Sequence, residues 1–201
     1  MTKRVWRSRD SLGVIYVTLD KTTDSVLELT EKVFSAVEKF GVVVRIEITT
    51  ESEGEDAYVA NLNRQGLSTI FEYIDKIKVT TESPDQDLIN FLTKSHDVKD
   101  IDFHLSTACC DETGKTIFMP DAIILSLNVE ADWERWSLYI DINTDIFAPF
   151  DLMRNETTEE MARKNAPQLK ALIDGLLDRL PVISWNWESG PDYLKEYLEQ
   201  L

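Results

Sequence analysis

Between Ile101 and Ile142 the chain alternates apolar and polar residues in three separate runs, and no other feature narrows the fold as much. Ile101, Phe103 and Leu105 alternate with Asp102, His104 and Ser106. Ile123, Leu125, Leu127 and Val129 alternate with Ile124, Ser126 and Asn128. Trp136, Leu138, Ile140 and Ile142 alternate with Arg135, Ser137, Tyr139 and Asp141. Side chains on a strand point to opposite faces in turn, so each run is a strand with one buried and one solvated face. Short connections between such runs predict an antiparallel meander over 101–107, 122–129 and 135–142.

Upstream, Gly13 to Leu19 is rich in β-branched and aromatic residues and reads as a strand over 14–19. A helix follows: Ser25 and Glu28 have capping-box spacing, and Val26, Leu29, Val33, Val37 and Phe40 recur at steps of three and four. Gly41 supplies the stop. Val42 to Ile48 is the next strand, with Arg45 and Glu47 on its polar side. This β-α-β order predicts a parallel pair joined by a right-handed crossover. Thr49 to Asp56 reads as an acidic loop. An apolar stripe through Leu67, Ile70, Phe71, Ile74 and Ile77 predicts a helix, and Ser83, Pro84 and Gln86 open another.

The C-terminal part is mainly helical. Thr157 and Glu160 have capping-box spacing, Leu169 to Leu180 carries a buried stripe, and Pro167 restarts or kinks the helix between them. Val182 to Trp187 reads as a short edge strand that puts Trp185 and Trp187 on one face, and a last helix begins after Pro191. With 201 residues and no linker or repeat, the expectation is a single α+β domain over 1–201. Its mixed five-stranded sheet is packed by helices and ends in a helical C-terminus.

The chemistry of the side chains excludes more than it selects. Asp141, Asn143 and Asp145 copy the start of a calcium loop, but Ile146 and Leu152 stand where the loop needs its glycine and its bidentate glutamate. His96, His104, Cys109, Cys110 and Asp111 contain zinc-compatible atoms, yet adjacent cysteines lack the spacing for chelation. The same cysteines precede Asp111 and Glu112, whose charges oppose a thiolate. The seven glycines are too scattered for a phosphate loop. No catalytic residue, cofactor or metal is therefore expected.

The net charge of −16 speaks to partners. Such a field repels nucleic acid and anionic membrane surfaces and speeds encounter with basic proteins. It also serves solubility. Residues 1–9 are the exception, with Lys3, Arg4, Arg7 and Arg9 and no acid. No signal peptide or membrane-spanning run is visible, and two cysteines make no disulfide framework, so a reducing cytoplasm is expected.

Trp133 lies in the Glu130–Glu134 connection among carboxylates. It is either an anchor with a charged rim or a cap folded back on the core. The candidate partner face is Glu130, Asp132, Trp133 and Glu134 with the exposed row Tyr139 and Asp141. A compact acidic α+β domain of this kind has the profile of bacterial immunity proteins, which neutralise basic toxins or nucleases. The alternatives are a carboxylate-dependent hydrolase and an acidic regulatory or assembly subunit. A pocket holding two carboxylates with shifted pKa values would favour the hydrolase.

Overall fold

A computed structural model describes residues 11–52, 54–61, 86–95, 97–130, 133–150 and 158–201. The strands are β1 (Gly13–Leu19), β2 (Val42–Thr50), β3 (Gly54–Asn61), β4 (Val98–Cys110), β5 (Thr116–Asn128), β6 (Trp136–Ile142) and β7 (Val182–Ser189). The α-helices are α1 (Val26–Val37), α2 (Gln86–Lys94), α3 (Glu159–Arg179) and α4 (Asp192–Glu199). Among the described residues no helix is long and apolar enough to cross a membrane. The expected helix over 67–77 and the Ser83–Pro84 helix start lie outside the described residues.

The seven strands form one sheet in the order β3-β2-β4-β5-β6-β1-β7, and every neighbouring pair is antiparallel. The meander of β4, β5 and β6 is as the alternation predicts. The parallel β1–β2 pair is not. Following the antiparallel pairings across the sheet, β1 and β2 do run the same way, but the whole meander lies between them. Helix α1 therefore bridges separated strands. The β-α-β pattern fixes direction and not adjacency, because the later meander supplies both strands with antiparallel partners.

Two strands extend the expected five. β7 is the edge strand foreseen at Val182, and it pairs with β1. β3 replaces the end of the acidic loop: Gly54 to Asn61 pairs with β2 and forms the opposite edge. Its sequence, GEDAYVAN, begins with the charges that edge strands carry to discourage further pairing.

The core is one cluster between the helices and one face of the sheet. Ile15, Val17, Ile46, Ile48, Ile101, Phe103, Leu105, Ile123, Leu125, Leu127, Leu138 and Ile140 are all buried on that face. Phe34 of α1 meets Phe103 edge to face, with ring centroids 6.1 Å apart. Leu169, Leu172 and Leu176 of α3 close the same cluster. Burying one such side chain contributes about 1.5–3 kcal/mol, which is why the alternation dominates the fold.

Local sequence sets the ends of the elements. The Ser25 hydroxyl accepts from the Glu28 N–H at 3.2 Å, and the Glu28 carboxylate accepts from the Ser25 N–H at 2.7 Å, completing the expected capping box. The cap expected at Thr157 lies outside the described residues; Thr158, at the start of α3, makes no side-chain cap, and its hydroxyl donates to the Ala148 carbonyl. Pro167 does not restart α3, which runs unbroken from Glu159 to Arg179. Gly41 is needed for a reason other than a left-handed stop. A Cβ there would meet the Ser106 carbonyl oxygen at 2.1 Å, so only glycine lets the chain pass β4 this closely.

Candidate functional site

The face of the sheet away from the core is polar. Reading the pairings straight across gives one row: Glu47 on β2, Asp102 on β4, Ser126 on β5, Tyr139 on β6, Tyr16 on β1 and Asn186 on β7. Asp100 and Asn128 stand opposite each other one step to one side. His104, Ile124, Asp141 and Val14 make the corresponding row on the other side. Glu47, Asp100, Asp102, Ser126, Asn128, Tyr139 and Asp141 are all partly accessible. On the twisted sheet a depression of about 440 Å³ lies here, lined by Glu47, Thr49, Asp100, Asp102, Ser126, Asn128 and Tyr139.

Like charges crowd this surface. Partial burial, the neighbouring Asp102 and, further off, Glu130 push the Asp100 carboxyl above its ordinary value, although the Asn128 amide donates to it at 2.8 Å. Asp141 is also raised, first by partial burial and then by Asp102 and Glu188; a Ser11 hydrogen bond works against this. Tyr16 and Tyr139 pack with ring centroids 5.1 Å apart, forming an aromatic floor beside the acids. Burial and the charge of Glu188 raise the Tyr139 phenol.

Cations on this face are already engaged by acids. Arg45 pairs with Glu47. Lys99 Nζ lies 3.5 Å from a Glu130 oxygen. His104 sits between two carboxylates, with Nε2 3.5 Å from Glu47 and Nδ1 3.7 Å from Asp121. The Asp121 carboxylate does most to raise the His104 pKa, burial opposes it, and Glu47 adds to it. Asp121 is held at φ +45°, where the pairing of β4 with β5 shifts register. That shift turns its side chain toward the imidazole.

The residues expected to face a partner are partly gathered here. Tyr139 lines the depression and Asp141 stands in the next row. Glu130 sits at the end of β5, close enough to raise Asp100. Trp133 keeps 47% of its surface exposed, so it does not cap the core, and its carbonyl accepts from Lys21 Nζ at 2.5 Å. Glu134 is exposed beside it. Trp133 and Glu134 do not line the depression. Asp132 lies outside the described residues. The alternation of the sequence sets Glu47 and Asp102 each on a polar strand face and says nothing of their being neighbours. Only the strand order sets them side by side.

The remaining candidates resolve as structure. Cys109 is buried, and burial pushes its thiol up to about 12, so it is no nucleophile at neutral pH. The sequence points to the carboxylates of Asp111 and Glu112 as the cause; the structure gives desolvation instead, with Cys110 adding to it and Gln168 opposing it. Asp111 is occupied by the β4–β5 hairpin, where its Oδ1 accepts from the N–H groups of Thr113 and Lys115 at 2.9 Å each. Gly114 completes that turn at φ +79°. At Asp141–Asp145, β6 ends and Thr144 caps a short 3-10 helix, with its hydroxyl accepting from the Ile146 N–H at 3.3 Å. His96 lies outside the described residues. Among the described residues no three His, Cys, Asp or Glu side chains converge as a metal site. No protein-family model, curated protein or solved structure matches the chain.

Proposed function

We propose that this chain is an acidic protein-binding inhibitor of the immunity type, which neutralises a basic toxin or nuclease in the bacterial cytoplasm. The observation that carries the reading is the Glu47–Asp102–Tyr139 row, with Asp100 and Asp141 beside it holding raised pKa values. A rigid sheet holds carboxylates together against their mutual repulsion, and Lys or Arg side chains of a partner would relieve that repulsion on docking. Tyr16 and Tyr139 offer flat faces against which a guanidinium stacks. Glu130, Trp133 and Glu134 extend the surface at one end, where an exposed Trp enters a partner pocket and acids meet its basic rim.

The test compares the wild-type chain with the triple variant Glu47→Gln, Asp102→Asn, Asp141→Asn. Wild type should bind a basic partner, inhibit its activity and associate more slowly as salt rises, because steering is screened beyond about 8–10 Å. The triple variant should lose both binding and inhibition. Full inhibition by the triple variant would refute the proposal.

A carboxylate-dependent hydrolase is the second reading. It is favoured by the raised Asp100 beside Asp102 in the same depression, a pairing that could hold a general acid next to a base. Turnover of a small-molecule ester or glycoside library that disappears in both Asp100→Asn and Asp102→Asn would replace the binding proposal with this one.

A further inference from the structure

We propose that β7 joins two copies of this chain edge to edge, making a dimer with one continuous sheet. This surface is separate from the acidic depression and does not depend on the function assigned to it. β7 ends the strand order, so it has one neighbour, β1, among the described strands. A strand in that place presents a row of N–H and C=O groups ready for another strand. Natural edges are usually blunted by Lys, Pro, inward charges or bulges. Here the pairing with β1 has register shifts near both ends, but Ser184, Trp185, Asn186 and Trp187 pair regularly between them. None of these is Lys, Arg or Pro. Ile183 and Trp185 stand 47% and 44% exposed.

Charge selects a second copy as the occupant. The chain carries −16 overall, so two copies repel through most surfaces. From Leu180 to Trp187 there is no charged residue, and the first charge after that stretch is Glu188. In an antiparallel pair centred on Trp185, the two copies of Glu188 lie at opposite ends and avoid each other. That register sets Trp185 against the partner's Trp185 and Ile183 against the partner's Trp187, closing exposed apolar surface on both copies. The groove of about 220 Å³ beside β7 is mixed: Ile173, Leu177, Trp185, Trp187 and Leu198 share its lining with the Lys170–Asp174 ion pair and Glu199. A basic partner would gain little from the uncharged 180–187 strip itself, whereas a like-charged copy can approach through it with little repulsion.

The experiment is sedimentation of the full chain at roughly 50 and 500 mM salt. The expected species has twice the 23.1 kDa chain mass. Its dimer fraction should rise with salt, because screening weakens the repulsion between copies. Ile183→Lys should sediment as a monomer whose far-UV circular dichroism matches that of the wild type. If that variant fails to fold, Trp185→Cys decides the matter in a Cys109→Ala, Cys110→Ala background: a short thiol cross-linker should join two chains. A wild-type monomer at both salts, a dimer untouched by Ile183→Lys, or a Trp185→Cys chain that does not cross-link would each overturn the proposal. Failure here would leave the acidic-face proposal standing, since its binding is expected to weaken with salt.

Discussion

Asp102 stands directly opposite Glu47 across the β2–β4 pair, two acids where a sheet ordinarily places opposite charges. Like charges in this position destabilise a sheet by about 0.2–1 kcal/mol relative to a neutral pair. Asp102→Asn should therefore stabilise the folded chain by an amount in that range, measured by urea unfolding at neutral pH. It should also lower the pKa of Asp100, which Asp102 helps to raise, in an NMR titration. A surface that becomes more stable when its charge is removed, yet loses partner binding, is organised for the partner rather than for the fold.

The pH dependence has a definite sign. Asp100 and Asp141 have folded pKa values above the ordinary 3.8, so the native chain takes up their protons more readily than the unfolded chain. Their contribution makes stability rise as pH falls through the raised values and level off below 3.8. His104 is raised above 6.5, so its contribution is fully present below that value and is lost as pH rises through the folded pKa. Both effects act in the same direction. Urea unfolding at pH 6 and 8 should show a loss of stability at the higher pH, and Asp121→Asn should make that loss smaller by removing the main partner of the imidazole.

Trp133→Ala separates anchoring from packing. With the indole about half exposed, truncation should change stability by no more than about 0.5 kcal/mol. Binding to the partner should weaken by about 2 kcal/mol or more. Unfolding and titration calorimetry on the same variant read both quantities. Unchanged binding would remove Trp133 from the partner surface.

Gly41→Ala tests the close passage of the chain over β4. The added methyl would sit 2.1 Å from the Ser106 carbonyl oxygen, a backbone atom that cannot swing aside. Destabilisation of about 1–3 kcal/mol is expected, as for other overpacked sites. Thermal melting checks it, and a wild-type melting temperature would mean that β4 and the α1–β2 turn shift apart at little cost.

Much of this fold is legible in the sequence because burial imposes a period. Ile101, Phe103 and Leu105 must face one way, and their alternation gives β4 before any contact is known. The Ser25–Glu28 box is local and was equally readable. Adjacency was not: β1 and β2 are joined by one helix, yet Asp102, Ser126 and Tyr139 lie on the three strands between them. β3 escaped because Glu55 and Asp56 look like loop, and an edge strand tolerates them. The acidic depression was legible only in pieces. Glu47 and Asp102 each declare a solvated face, but the sequence separates them by more than fifty residues and only pairing brings them level. Tyr139 and Asp141 could be named because both lie on one strand.

The most direct test of the central claim is an NMR titration of the isotope-labelled chain with an arginine-rich peptide, at low and at physiological salt. The account predicts saturable shifts centred on Glu47, Asp100, Asp102, Ser126 and Tyr139, weakening as salt rises, while the acids of α1, Glu28 and Glu31, move little. Shifts spread evenly over the acidic surface, or centred on α1, would contradict it.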